Sequence, residues 1–244
     1  AIVIQAYRWL FGRFSLSALF SVPALLVVAA SQSRKAILMI PLGIIILLFL
    51  KNLGNRSFFK SFFRIVLSLA LFAAVLVLIS RISIFRGVNE RLASMVASFT
   101  GEGAADGSSL LRKKMREVGF AQFLKTPIFG IGIGCSDVLL QHTINRSTYL
   151  HNNYIELLAC GGIVGTALYY VPRFALLRDF WRSRFLRNRQ AIACLTILLL
   201  LLIMDYGAVA YSEKMQYLYL LMLFVQADKL RESNQQALED GADE

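Results

Sequence analysis

Several apolar runs, each close to the length of a membrane-spanning helix, restrict what this chain can fold into. One of them, AILMIPLGIIILLFL at 36–50, contains no charged side chain. A bilayer core is crossed by roughly 20 mostly apolar residues in a helix that satisfies its own backbone hydrogen bonds. The sequence therefore predicts an all-α integral membrane protein. About six transmembrane helices are predicted, at about 14–31, 36–50, 65–80, 154–172, 191–207 and 215–227.

The charge of the chain fits a membrane protein better than a nucleic-acid-binding protein. Of its residues, 57 % are hydrophobic and 17 % are charged, and the net charge is +11. In a soluble protein this excess would favour nucleic acid, but here much of it lies in short loops at 51–64 and 173–189. Lys and Arg collect in the cytoplasmic loops of membrane proteins. The predicted partner is therefore the lipid bilayer, with no nucleic acid.

The two basic loops also orient the chain. Two predicted spans separate them, so both lie on the cytoplasmic side and the long polar loop at 81–153 lies outside the cell. The segment at 228–244 is predicted to be a solvated or disordered cytoplasmic tail. Because the sequence opens on Ala1 in mixed apolar residues, 1–244 is expected to be one membrane domain, the C-terminal fragment of a longer protein.

The long outer loop contains two predicted amphipathic helices, at 88–99 and at 110–125, the second capped by Ser108 or Ser109. In the second, Leu111, Met115 and Val118 share one face at helical spacing, and Arg112 and Arg116 flank that face. This helix ends before Pro127, where the sequence PIFGIGIG predicts a tight turn or a close backbone approach. Further along, Gly161, Gly162 and Gly165 are interpreted as small-residue packing within the fourth span.

A histidine stands where the outer loop enters the fourth span, in the sequence TYLHNNYIELLACGGIVG at 148–165. The predicted topology brings Arg34, Arg112 and His151 to the same face of the membrane. Two guanidinium groups suit a diphosphate, because each binds phosphate oxygens in a bidentate fashion. An imidazole that titrates near neutral pH can accept a proton from a hydroxyl. Together these residues indicate transfer from a lipid diphosphate to an acceptor hydroxyl.

Each of these residues also has a structural interpretation. His151 fits a helix cap or an interfacial anchor, Arg34 can extend towards lipid head groups, and Arg112 fits a contact with anionic lipid. His142 and His151 lack the spacing and partners of a metal site, so neither a metal nor a cofactor is predicted. Glu156 and Asp205 are acids near or within membrane segments, where ionisable groups indicate function.

Three motifs, in this order along the chain, resemble the bacterial O-antigen ligase and O-antigen (capsule, exopolysaccharide) polymerase superfamily. They are SQSRK after a membrane helix, SSLLR ahead of PIFGIGIG, and YLHNNYIELLACGGIVG entering a membrane helix. The resemblance covers roughly residues 25–172.

The resemblance implies a metal-independent membrane glycosyltransferase of GT-C-like architecture in the bacterial inner membrane, active on the extracytoplasmic face. The donor would be an oligosaccharide on undecaprenyl diphosphate, and the acceptor a glycan or the lipid A core. His151 would be the general base, and Arg34 and Arg112 would bind the diphosphate. Further substrate contacts are predicted at Arg116, Asn152, Tyr149, Gly130 and Gly132.

The motifs do not separate a polymerase from a ligase, although HNNYIELL followed by GIVG leans towards a polymerase. A different class stays open: a non-enzymatic transporter or flippase component that holds lipid diphosphates with the same arginines. In that class His151 would be dispensable, and substitution of the arginines by lysine would be tolerated.

Overall fold

The computed structural model describes residues 34–52, 63, 107–185 and 188–240. The chain divides into two compact units, Ala1–Ala104 and Ala105–Glu244. The described part contains helices and turns but no strand, which confirms the all-α prediction. Several predicted elements lie outside the described residues: the spans at 14–31 and 65–80, the helix at 88–99 and most of the basic loop at 51–64.

In the first unit the structure describes one long helix, α1, over Arg34–Asn52. It includes the apolar run predicted as the second span, and Arg34 is its first residue. Pro41 lies inside it. Proline removes a backbone hydrogen bond and usually breaks a soluble helix, but membrane helices tolerate it.

The described residues of the second unit form five helices joined by short connections. Their bounds are α2 Gly107–Lys125, α3 Ser136–Ile144, α4 Asn153–Phe185, α5 Arg189–Asp205 and α6 Lys214–Asp240. Helices α2, α5 and α6 each pack against α4, and α3 packs against α2 and α4.

Among the described residues, one helix segment, Asn153–Arg182, has the length and apolar composition to cross a membrane. That length and composition belong to the whole segment, which is interrupted at Gly162. Beyond that residue, Leu168 is 75 % exposed and Val171 is 62 % exposed. Such side chains favour lipid over water. The segment at 173–189, predicted as a basic loop, is mostly a continuation of α4.

Helix α4 is interrupted at Gly162, whose backbone is not helical (φ 61°, ψ −163°). The rings of Tyr154 and Tyr170 stack with their centroids 4.8 Å apart. In a straight helix these residues would lie about 24 Å apart, at 1.5 Å per residue. The two halves, α4a (153–161) and α4b (163–185), therefore fold back on each other. The predicted packing role of Gly162 within one continuous span is wrong, because this residue makes the reversal.

The PIFGIGIG segment covers the break and caps the end of α4a. The backbone N–H of Ile131 donates to the carbonyl of Ala159 (3.1 Å), and that of Gly132 donates to the carbonyl of Cys160 (2.9 Å). Carbonyls at the end of a helix have no partner within it, so these two bonds replace the missing ones. A Cβ on Gly130 would lie 2.4 Å from the Cys160 carbonyl carbon, which explains the glycine. Contact of Gly130 and Gly132 with substrate stays a prediction.

The same segment accepts hydrogen bonds from the first backbone N–H groups of α4b. Ile163 N–H donates to the carbonyl of Pro127 (2.8 Å), and Val164 N–H donates to the carbonyl of Ile128 (3.1 Å). The first N–H groups of a helix otherwise lack acceptors. A Cβ on Gly162 would lie 2.3 Å from the Ile128 oxygen, so the approach requires glycine. The PIFGIGIG motif therefore holds the broken helix that presents the histidine.

A buried polar network ties α4 to the turn between α5 and α6. The Asp205 carboxylate accepts from the Tyr170 hydroxyl (3.0 Å), the Asn153 amide (3.4 Å) and the Gln216 amide (3.2 Å). Asp205 is 1 % exposed. A buried carboxylate is tolerated where hydrogen bonds replace its hydration. This acid, which the sequence marked as a functional candidate, joins three helices.

Replacing Asn153 with alanine should lower the stability of this junction. The Asn153 side-chain oxygen accepts from the N–H groups of Ala210 (2.8 Å) and Tyr211 (3.0 Å). The variant leaves both donors without their acceptor, which costs about 2–3 kcal/mol. The apparent melting temperature of the detergent-solubilised protein should fall by several degrees. Gln190→Ala, at an exposed position on α5, is the control. An unchanged melting temperature in Asn153→Ala would refute the importance of these bonds.

Of the predicted solvated or disordered tail, residues 228–240 are helical, because α6 continues to Asp240. Leu223, Ala227 and Leu230 are buried at helical spacing along α6. Arg231 forms an ion pair with Asp179 of α4. The buried stripe explains why this polar segment keeps its structure.

Candidate functional site

His151 lies in a turn that its neighbours fix on both sides. Leu150 is fully buried and packs in a cluster with Met115 and Leu140, and Asn152 is 2 % exposed. His151 is partly exposed and has a left-handed backbone, with φ at 57°. A residue other than glycine seldom adopts this conformation unless its surroundings impose it. The imidazole is therefore presented from a backbone that is held in place.

Glu156 holds the residue before the histidine. Its carboxylate accepts the Leu150 N–H at 2.8 Å and also accepts the Ser136 hydroxyl. Glu156 is 1 % exposed, so these bonds replace its contacts with water. The sequence marked this acid as a functional candidate, and the structure shows that it bonds directly to the backbone before the histidine. Glu156 thereby links the His151 turn to the start of α3.

Asn152 caps α4a. Its side-chain oxygen accepts the Ile155 N–H (3.0 Å) and its carbonyl accepts the Glu156 N–H (2.9 Å). This is the usual way in which asparagine starts a helix. The amide nitrogen donates to the Tyr206 carbonyl (3.1 Å). Both ends of the amide are therefore engaged within the protein, and the substrate contact predicted for Asn152 stays a prediction.

A polar cavity of about 360 Å³ lies beside the histidine turn. Tyr149, which lines it, is 47 % exposed, and its ring centroid lies 4.2 Å from that of His151. The cavity is lined by Gly134, Ser136, Asp137, Ser147, Thr148, Tyr149, Glu156, Val209, Tyr211, Ser212 and Glu213. A substrate in this space would therefore meet a ring that is in contact with the imidazole.

Helix α2 packs on the histidine segment with the predicted face. Met115 is buried in the cluster that contains Leu150, and Leu111 and Val118 pack against that cluster. This confirms the face that the spacing predicted. Arg112 follows Leu111 in sequence and is exposed, so its guanidinium can reach a ligand outside the helix bundle.

Arg116 is connected to the histidine turn through Tyr206. Its guanidinium carbon is 5.9 Å from the centroid of the Tyr206 ring, and the Tyr206 carbonyl accepts from Asn152. The substrate contact predicted for Arg116 stays a prediction. Arg34 belongs to the other compact unit, so its predicted place beside Arg112 and His151 stays a prediction.

Sequence reasoning missed the contribution of the turn between α5 and α6. Tyr206 contacts Arg116 and Asn152, and Tyr211 and Glu213 line the cavity. The available signal was the concentration of tyrosines and a carboxylate in YGAVAYSE, between two apolar runs. That signal does not reveal that the turn meets residue 152, because this contact arises only when the helices pack.

Comparison with known proteins supports the motif-based resemblance. A family profile described as O-antigen ligase matches residues 19–170, which is more than half of the chain. This stretch includes the histidine turn and all of α1, α2 and α3. No curated protein matches the chain. The profile match confirms the resemblance drawn from the SQSRK, SSLLR and YLHNNY motifs.

Proposed function

The chain belongs to the O-antigen ligase family, whose members are membrane enzymes of the ligase and polymerase type, and on that premise we propose that it is an inner-membrane glycosyltransferase. The donor is an oligosaccharide on undecaprenyl diphosphate, and the reaction takes place on the extracytoplasmic face. The acceptor is the sugar hydroxyl of a second lipid-linked repeat, which makes the protein a polymerase. The lipid A core is the acceptor if the protein is instead a ligase. The reaction needs no metal, because an arginine-bound diphosphate leaves without one.

The proposed chemistry is a single displacement. The acceptor hydroxyl gives its proton to His151 while its oxygen forms a bond with the anomeric carbon of the donor sugar. The bond between that carbon and the diphosphate oxygen breaks, and undecaprenyl diphosphate leaves with the electron pair. Arg112 and Arg34 bind the departing diphosphate, whose charge grows as the bond breaks. One displacement inverts the configuration at the anomeric carbon.

One observation carries this proposal: a partly exposed histidine on a fixed left-handed turn, in ring contact with a residue that lines a polar cavity. A base must be held within hydrogen-bond reach of the proton it takes, and a mobile loop does not achieve this. His151 is not needed as the helix cap, because Asn152 already caps the helix. The arrangement therefore supports a catalytic role over the structural one.

The role of Arg112 can be tested by replacing it in the protein in its host. Arg112→Ala should reduce long-chain polysaccharide by about 100-fold, because it removes a bidentate contact to the leaving diphosphate. Arg112→Lys should also lose most of the activity, since an ammonium group cannot form that contact. Chain length is measured on gels, and insertion is checked by immunoblotting of the membrane fraction.

Lys125→Ala is the matched control, because Lys125 is an exposed cation in the last turn of the same helix. It should leave chain length unchanged. Polysaccharide of wild-type chain length from Arg112→Ala would show that this arginine takes no part in the reaction. Full activity in Arg112→Lys would show that Arg112 supplies only a positive charge. That is the role it would have in a non-enzymatic protein that binds lipid diphosphates.

A further inference from the structure

The cavity beside His151 has a charge that does not suit a diphosphate. Its lining contains the carboxylates of Asp137, Glu156 and Glu213, and the described residues contribute no Lys or Arg to it. A phosphate group in this space would be repelled, since like charges at about 4 Å cost several kcal/mol near a protein surface. Glu156 is already bonded to Ser136 and Leu150. Asp137 and Glu213 are the exposed carboxylates of the cavity.

The remaining lining groups suit a molecule rich in hydroxyls. Hydroxyl side chains come from Ser147, Thr148 and Ser212, and aromatic side chains come from Tyr149 and Tyr211. Carboxylates accept strong hydrogen bonds from hydroxyl and ammonium groups. A tyrosine offers an apolar face to the ring of a sugar and a polar end to its hydroxyls. The volume of about 360 Å³ falls within the range of small-molecule sites.

Tyr211 remains a hydrogen-bond donor in this cavity. Burial raises the pKa of its phenol above the ordinary value, and the nearby Glu156 carboxylate raises this pKa further. The phenol is therefore protonated at physiological pH. Tyr211 comes from the turn between α5 and α6, so the cavity combines this turn with the start of α3 and the histidine segment.

We propose that this cavity binds the terminal sugar of the acceptor, with a preference for a neutral or amino sugar, while the donor diphosphate binds elsewhere at the arginines. This inference rests on the proposed glycosyl transfer. Asp137 and Glu213 hold acceptor hydroxyls, and Tyr149 sets the sugar beside His151. Separate sites of opposite charge keep the donor head group out of the acceptor position.

The test uses the intact protein in detergent, with lipid-linked repeats purified from its host. Initial rates are measured against acceptor concentration at saturating donor, and then against donor concentration. The Asp137→Asn/Glu213→Gln variant should raise the acceptor KM roughly tenfold, which corresponds to about 1.4 kcal/mol. The donor KM and kcat should stay within about twofold. Asp228→Asn/Glu232→Gln changes two exposed carboxylates on α6 and should leave all three parameters unchanged.

A second measurement separates failure of this inference from failure of the transferase proposal. Saturation-transfer NMR follows binding of the lipid-free repeat-unit oligosaccharide, released from the glycan of the host, to wild type and variants. If the wild-type protein forms no glycosidic bond but binds the oligosaccharide, loss of this binding in Asp137→Asn/Glu213→Gln still supports a sugar site in the cavity. The inference is overturned if Asp137→Asn/Glu213→Gln keeps both the oligosaccharide binding and the acceptor KM of the wild type. It is also overturned if this variant raises the donor KM and leaves the acceptor KM unchanged.

Discussion

Replacement of His151 with asparagine is expected to lower glycan transfer by about 10²–10⁴-fold, the usual contribution of a general base. Asparagine is the informative substitution, because it tolerates the left-handed backbone that His151 adopts. The turn should therefore keep its shape while the group that accepts the proton is lost. The readout is polysaccharide chain length in the host, with the amount of membrane-inserted protein measured alongside.

The chain offers a matched control, since its two histidines are His142 and His151. His142 lies in the last turn of α3 and is exposed, so His142→Asn should retain wild-type chain length. Wild-type polymer from His151→Asn would exclude this residue as the base. It would leave His151 with the structural role of an interfacial anchor.

Replacement of Gly162 with alanine is expected to destabilise the second unit by about 3 kcal/mol, because two costs coincide. The backbone at Gly162 has a φ of 61°, and an added Cβ would lie 2.3 Å from the Ile128 oxygen. Relief of this clash would separate the PIFGIGIG segment from the break in α4 and shift the histidine turn. The apparent melting temperature in detergent should fall by roughly 10 °C, and transfer should be lost with it.

Gly165→Ala tests the same change one turn away. A Cβ at Gly165 meets nothing within 4 Å, and the backbone there is helical. Alanine at this position should leave stability unchanged or raise it slightly. If Gly162→Ala behaved like Gly165→Ala, the reversal of α4 would not depend on glycine, and the account of the broken helix would be wrong.

The sequence predicted the features of this fold that depend on local pattern. The spacing of Leu111, Met115 and Val118 identified the buried face of α2, because helical periodicity places such residues on one side. The proline at 127 identified the end of that helix. The reversal at Gly162 was not predicted, since an apolar run with glycines is compatible with both a continuous span and a broken helix.

The sequence predicted only the part of the candidate site that depends on local pattern. The position of His151 at the border of a polar loop and an apolar segment drew attention to it from sequence alone. The cavity depends on the turn that carries Tyr211 and Glu213, which is distant along the chain. Contacts of this kind follow from the packing of α4 against α5 and α6, and local sequence patterns do not predict them.

Transfer between purified lipid-linked repeats in proteoliposomes tests the central claim most directly. The donor is supplied on undecaprenyl diphosphate, with a second lipid-linked repeat or a lipid A core as the separate acceptor. We expect a longer glycan and one released undecaprenyl diphosphate per transfer with wild-type protein, and neither product with His151→Asn. Movement of lipid-linked repeats across the bilayer without any new glycosidic bond would contradict it and identify a transporter.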